Sequence, residues 1–376
     1  MKHRPVLTAL LAATTLALVG AQATSARVST GNGKKDVVFV QTNELTGNHI
    51  AVYDRAGDGS LSLAGTYATG GKGGAALPGT ESDHLASQGS LVYDPEHGLL
   101  LAVNAGSNTV SAFRVNGDRL RLADVLPSGG QFPASVGIHD DLAYVLNSGG
   151  AGIVQGYRIN DYGLSPIHGS ARSLGLTNTN PPNYLTSPGQ VGFTPDGRKL
   201  IVTTKLSGST IAVFQVGRDG LLSASPVVNA SATPVPFAFT FDPANRLVTG
   251  EAGASSVTTY RIQPGGTLTD AKSQSDGQGA LCWILKARGF YYVSNTASND
   301  LSSFRVDALG QPTLLNAVAA TTNPGPIDLA ASDNFLYAET GINGTIDEFH
   351  VESDGALTPI GSVTGLPAGL EGIAAT

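Results

Sequence analysis

The sequence predicts an all-β protein: a seven-bladed β-propeller of four-stranded blades, its ring closed by the C-terminal strand. Three observations lead there. One strand motif recurs seven times, its copies stand near 45 residues apart, and a turn signal follows each copy. A repeat of roughly 40–50 residues that carries several short strands is the mark of radially stacked blades.

The motif is an alternating strand with an aromatic near its end. It reads HIAVYDR (49–55), TVSAFRV (109–115), IVQGYRI (153–159), TIAVFQV (210–216), SVTTYRI (256–262), DLSSFRV (300–306) and TIDEFHV (345–351). The aromatics Tyr53, Phe113, Tyr157, Phe214, Tyr260, Phe304 and Phe349 are separated by 60, 44, 57, 46, 44 and 45 residues, so two of the intervals hold insertions. An aromatic at one place in every unit is a packing residue between blades. The turns after the motif include Asp58-Gly59, Asn116-Gly117, Asp161-Tyr162-Gly163, Asp219-Gly220, Gly265-Gly266, Leu309-Gly310 and Asp354-Gly355. Gly, Asn and Asp tolerate the positive φ that a tight hairpin demands.

The chain ends fit the same scheme. VVFVQT (37–42) matches the second strand of the later repeats, so the first blade lacks its innermost strand. LEGIAAT (370–376) resembles an innermost strand such as IDLAAS (327–332) and is expected to supply it. Closure of this kind buries both free sheet edges. Helix is expected only as isolated turns.

Composition narrows the class. A chain of 376 residues, 41% hydrophobic and 14% charged, has material for a large core, and 48 Gly with 20 Pro suit a turn-rich fold. Lys2, His3 and Arg4, an apolar stretch Val6–Val19 and the small residues of Ala21-Gln22-Ala23 read as a signal peptide over residues 1–23. The apolar stretch is too short for the roughly 20 residues that span a bilayer. Residues 24–36 read as a flexible lead-in and 37–376 as the propeller. The expected location is therefore secreted, or extracytoplasmic, without stable membrane insertion. Cys282 is the single cysteine, which excludes an intrachain disulfide and leaves stability to core and topology. The net charge of −7 becomes −9 when the two charges of Lys2 and Arg4 leave with the signal. An acidic chain with no basic run is no nucleic-acid binder. A monomer is expected.

Antiparallel alternation puts the loops between second and third strands on one face with the inter-blade connections. Both insertions, roughly 70–89 and 173–189, are such connections, and long loops on a rigid scaffold are where function concentrates. Residues expected at the tops of second strands include Asn43, Lys205, Glu251 and Glu339. The starts of innermost strands offer Gln190, Cys282, Asp328 and Glu371, and the first insertion adds Asp83 and His84.

Lys205 and Glu251 occupy equivalent places in adjacent blades. That pairing suggests catalysis, with Glu251 as base on a bound water and Lys205 stabilising charge on a carbonyl oxygen. Gln190, Asn43, His84, Asp328 and Glu339 are the expected substrate-binding residues. Two carboxylates facing one channel shift each other's pKa or hold a cation such as calcium. No zinc-ligand spacing, nucleophile elbow or phosphate loop is present, so no metal site or resident cofactor is expected.

The blade pattern resembles the lactonase family of seven-bladed propellers, which includes 6-phosphogluconolactonase and carboxymuconate cyclase. The most characteristic stretches are QGSLVYDP (88–95), GQVGFTPDGRKLIVTTK (189–205), GALCWILKARGFYYVSNT (279–296) and LEGIAA (370–375). The resemblance implies a secreted hydrolase of a small lactone or sugar-derived cyclic ester, and Glu251 falls at the family's Glu position. The family's Pro-His and Arg-His motifs are replaced by Pro188-Gly189-Gln190 and Pro236-Phe237-Ala238. A second reading therefore stands beside the first: a non-catalytic extracellular propeller that binds a protein, glycan or cell-wall partner.

Overall fold

Strands that alternate between two packing faces need a neighbour on each side, and a ring of radial sheets gives every strand both. A computed structural model describes Met1 and residues 35–77, 81–160 and 163–376. Apart from Met1, the expected signal peptide (1–23) lies outside the described residues, as do most of the lead-in, residues 78–80 of the first insertion and the turn residues Asp161 and Tyr162.

Blade one combines the C-terminal strand Ile373–Ala375 with Val37–Gln41, His49–Arg55 and Leu61–Ala68, in that order outward from the axis. Blade two is Leu91–Asp94, Leu99–Asn104, Thr109–Asn116 and Arg119–Pro127. Blade three is Pro133–His139, Leu142–Asn147 and Ile153–Asn160, its outer position split between Gly163–Pro166 and Arg172–Ser173. Blade four is Gln190–Phe193, Lys199–Thr203, Thr210–Gln215 and Val227–Ala230. Blade five is Pro236–Phe241, Leu247–Glu251, Ser256–Ile262 and Leu268–Ser275. Blade six is Leu281–Ala287, Phe290–Asn295, Asp300–Val306 and Pro312–Thr321, and blade seven is Pro326–Ser332, Phe335–Thr340, Thr345–Val351 and Leu357–Val363. Among the described residues the helical content is one 3-10 turn, Ala105–Ser107, and no helix is long and apolar enough to cross a membrane.

The core lies between blades. Each of seven hydrophobic clusters joins one pair of neighbouring blades, and the last pair is seven and one. The seven repeated aromatics are all buried in these interfaces. The turn glycines hold the positive φ their sequence context demands: Gly59 sits at φ 90°, and a Cβ there would run into the Phe335 ring.

The seam forms as the chain ends predict. Ile373, Ala374 and Ala375 pair with Val40, Phe39 and Val38. Beyond the ladder, the Gln41 N–H donates to the Gly372 carbonyl at 2.8 Å and its Nε2 donates to the Glu371 carbonyl at 3.1 Å.

Candidate active site in the central channel

Inner-strand irregularities shape the channel. The register shifts between Pro133 and Ser135, Pro236 and Phe239, Leu281 and Trp283, and Pro326 and Leu329. Bulges re-aim side chains. Here they fall at the starts of inner strands, at the level of Ser135, Ala238, Cys282 and Asp328.

The first insertion stoppers the channel on the face that carries it. Among residues 82–87 all but His84 are buried. Anchors reach this segment from around the ring. Glu371 of the seam accepts the N–H groups of Leu85 (2.5 Å) and Ser87 (3.2 Å). The Lys205 ammonium of blade four donates to the Ala86 carbonyl at 2.6 Å. From blade six, the Trp283 Nε1–H donates to the Ser87 carbonyl at 3.0 Å. Gln88 then pairs with the Ile284 backbone, donating at 3.0 Å and accepting at 3.1 Å. The two insertions also meet each other: Leu77 donates to the Pro182 carbonyl at 2.8 Å and accepts from the Tyr184 N–H at 3.2 Å.

Below the stopper the channel is a well of about 420 Å³, lined by the inner strands of all seven blades. Gln88, Gly89, Gln190 and Asp328 form its inner end, and Tyr93, Ile138, Phe193, Phe241 and Ala331 stand toward its mouth. The mouth residues other than Phe193 are half-exposed. The well therefore opens on the face opposite the insertions. Its size lies within the range of small-ligand sites, and its walls present polar and apolar surface in similar amounts.

Two groups of buried ionisable residues meet around the stopper. Asp83 and Glu371 are hydrogen-bonded to each other, and burial pushes both carboxyls up. The Asp83 charge raises Glu371 further, whereas Lys205 pulls Asp83 back. Burial draws Lys205 down to about 8, against the attraction of Asp83, Cys282 and Glu371. Its ammonium also lies 4.8 Å from the Phe237 ring centroid. Burial pushes the Cys282 thiol far up, with the Asp83 charge adding to the effect, so it is no ready thiolate.

The second group is Asp328 with Glu339. Asp328 accepts backbone N–H groups from Leu329, Gly89 and Ile373, yet burial pushes its carboxyl up to about 7. Glu339 is raised well above its ordinary value by burial first and the Asp328 charge second. Its Oε2 accepts the Gly372 N–H at 2.8 Å, while Oε1 has no partner.

The residues expected from sequence are thus dispersed. Gln190 and Asp328 line the well, and Gln190 Oε1 accepts the Phe239 N–H at 2.6 Å. Glu339 stands one strand behind Asp328. Asn43 is a loop brace: its Nδ2 donates to the carbonyls of Gly74 (3.0 Å) and Gly369 (3.1 Å). The His84 ring occupies the space a side chain at Gly369 would fill, and burial lowers its pKa.

Lys205 and Glu251 keep equivalent places in adjacent blades, but the structure does not bring their charges together. Lys205 turns to the stopper. Glu251 is fully buried and accepts the hydroxyls of Ser231, Thr233, Thr258 and Tyr260, each at 2.5 Å. Among the described residues no three His, Cys, Asp or Glu side chains are grouped to hold a metal ion. Sequence reasoning missed Gln88. Its place beside Ser87, at the end of the insertion and before an inner strand, was the available signal.

No protein-family model and no curated protein matches the chain. Solved structures do. A protein from Lactobacillus plantarum superposes with a TM-score of 0.71 at 17% identity, covering 92% of this chain and 100% of that one. A putative 6-phosphogluconolactonase from Bacteroides fragilis gives 0.68 at 16%, covering 91% and 98%. A periplasmic gluconolactonase from Pseudomonas aeruginosa gives 0.69 at 19%, covering 89% and 98%. At such identities the likeness is one of fold. The chain has the fold of the 6-phosphogluconolactonase-like seven-bladed propellers, as its sequence motifs imply.

Proposed function

We propose that this chain works outside the cytoplasm as a lactonase-like propeller that takes a small sugar-derived lactone into the well and opens it by hydrolysis. One observation carries the reading: a closed-ended well of about 420 Å³ has a carboxyl group poised near neutrality, Asp328, at its inner end. A base whose pKa lies near the working pH is the most effective proton acceptor.

Asp328 takes a proton from a water whose oxygen attacks the lactone carbonyl carbon. The ring C–O bond breaks, its electron pair stays on the departing oxygen, and Asp328 returns the proton there to give the hydroxy acid. Gln190, with its Oε1 already committed to Phe239, presents its amide N–H groups as donors to the ligand. The names of the Bacteroides and Pseudomonas structures support the substrate class, and the basic, apolar and small-residue order of the N-terminus supports export.

A non-catalytic binding propeller is the second reading. The upper face favours it, because the joined insertions leave Leu77, Leu185 and Leu206 exposed there.

Proton release from a panel of aldonolactones, acyl-homoserine lactones and muconolactones tests both. Turnover is expected in the wild type, with a loss of about 10²–10⁴-fold in Asp328→Asn and retention in Glu251→Gln. The opposite pattern would return the base to Glu251. No turnover of any lactone would move the protein to the binding class.

A further inference from the structure

Asp328 and Glu339 are both buried, on neighbouring antiparallel strands of blade seven at the bulge between Pro326 and Leu329, with Asp328 bordering the well and Glu339 behind it. A charged carboxylate in such a place needs donors or a cation. Asp328 has its three backbone N–H groups. Glu339 has one, from Gly372, and its second oxygen has none.

The groups packed around the pair bring no relief. From the stopper comes Asp83, whose charge acts on Asp328 with the same sign. The seam contributes the acidic Glu371 beside Asp83, and the Lys205 ammonium is committed to Asp83, Glu371 and the Ala86 carbonyl. Two adjacent buried carboxylates without a counter-cation do not both ionise.

We infer that Glu339 stands as a neutral carboxylic acid behind Asp328, with its proton on the unpartnered Oε1, so that Asp328 alone carries the charge at the inner end of the well. Glu339 is a positioning residue. It does not line the well, and it acts by holding the seam through Gly372 without repelling the base in front of it. Environments that set two neighbouring carboxyls apart divide acid and base roles between them. The inference rests on the reading of Asp328 as the base, but its test does not depend on turnover.

The test is infrared difference spectroscopy of the whole protein at pH 8, wild type against Glu339→Gln, with carboxyl-carbon NMR to follow Asp328. A protonated-carboxyl C=O band is expected in the wild type and absent in the variant. The amide of Gln copies the neutral acid, so the Asp328 midpoint is expected to stay within a few tenths of a pH unit. A carboxylate band for Glu339 at pH 8, or an Asp328 midpoint that falls by more than about one unit in Glu339→Gln, would overturn the inference. A protein that turned over no lactone yet showed the protonated band would refute the catalytic reading and keep this one.

Discussion

Blades five and seven each bury a carboxylate near the top of the channel, and the two are solvated in opposite ways. Glu251 accepts four hydroxyls, from Ser231, Thr233, Thr258 and Tyr260, which tie the entry of blade five to its third strand. Asp328 accepts only backbone amides, faces a second carboxyl at Glu339 and borders the well. Burial is the same for both, so burial alone does not make a reactive group. The donor set decides, and hydroxyls that saturate a carboxylate turn it into a structural node.

The comparison breaks first at Glu251. Glu251→Ala strips the shared acceptor from four hydroxyls and leaves a cavity. Thr258 and Tyr260 are buried, whereas Ser231 and Thr233 are half-exposed and can turn to water. A loss of about 3–5 kcal/mol in denaturant unfolding is expected. A loss below about 1 kcal/mol would mean that the node is not structural.

Asp328 sharpens the comparison through pH. Its folded pKa is raised from 3.8 to about 7, so folding is favoured by its protonation. That contribution is full below the unfolded value and disappears as pH climbs from about 4 to 7. Linkage sets an upper bound of about 4 kcal/mol. Asp328→Asn is therefore expected to flatten the loss of stability between pH 4 and 7, read by urea midpoints at a series of pH values. An unchanged slope would mean that Asp328 titrates like an exposed carboxyl.

The same contrast marks what the sequence could and could not reveal. Blade count, strand order and seam were legible because each repeat writes its own pattern: an alternating strand, an aromatic and a turn glycine. The hydroxyl cage was not. Tyr260 reads as the repeat's packing aromatic, and only the structure shows its hydroxyl donating to Glu251. The stopper was hidden for a different reason. Its anchors Lys205, Trp283 and Glu371 lie 119, 196 and 286 residues from the atoms they hold, too far for any periodicity to register. Asp328 was legible as a channel residue, but its coupling to Glu339 depends on a bulge that alternation does not encode.

The smallest effect is expected at Trp283, where stopper and blade meet. Its ring is fully buried against Phe237 at 4.7 Å, and its Nε1–H holds the Ser87 carbonyl. Trp283→Phe keeps most of the apolar contact and removes the donor, so the global cost is about 1–2 kcal/mol. The local cost is larger in kind, because the Ser87 N–H is itself a donor to Glu371 and the segment loses one of its anchors. Hydrogen exchange should accelerate at Leu85–Gln88 while the amides around Glu251 stay protected. Exchange that rises equally in both regions would mean that Trp283 serves the ring as a whole, and that the stopper has no stability of its own to lose.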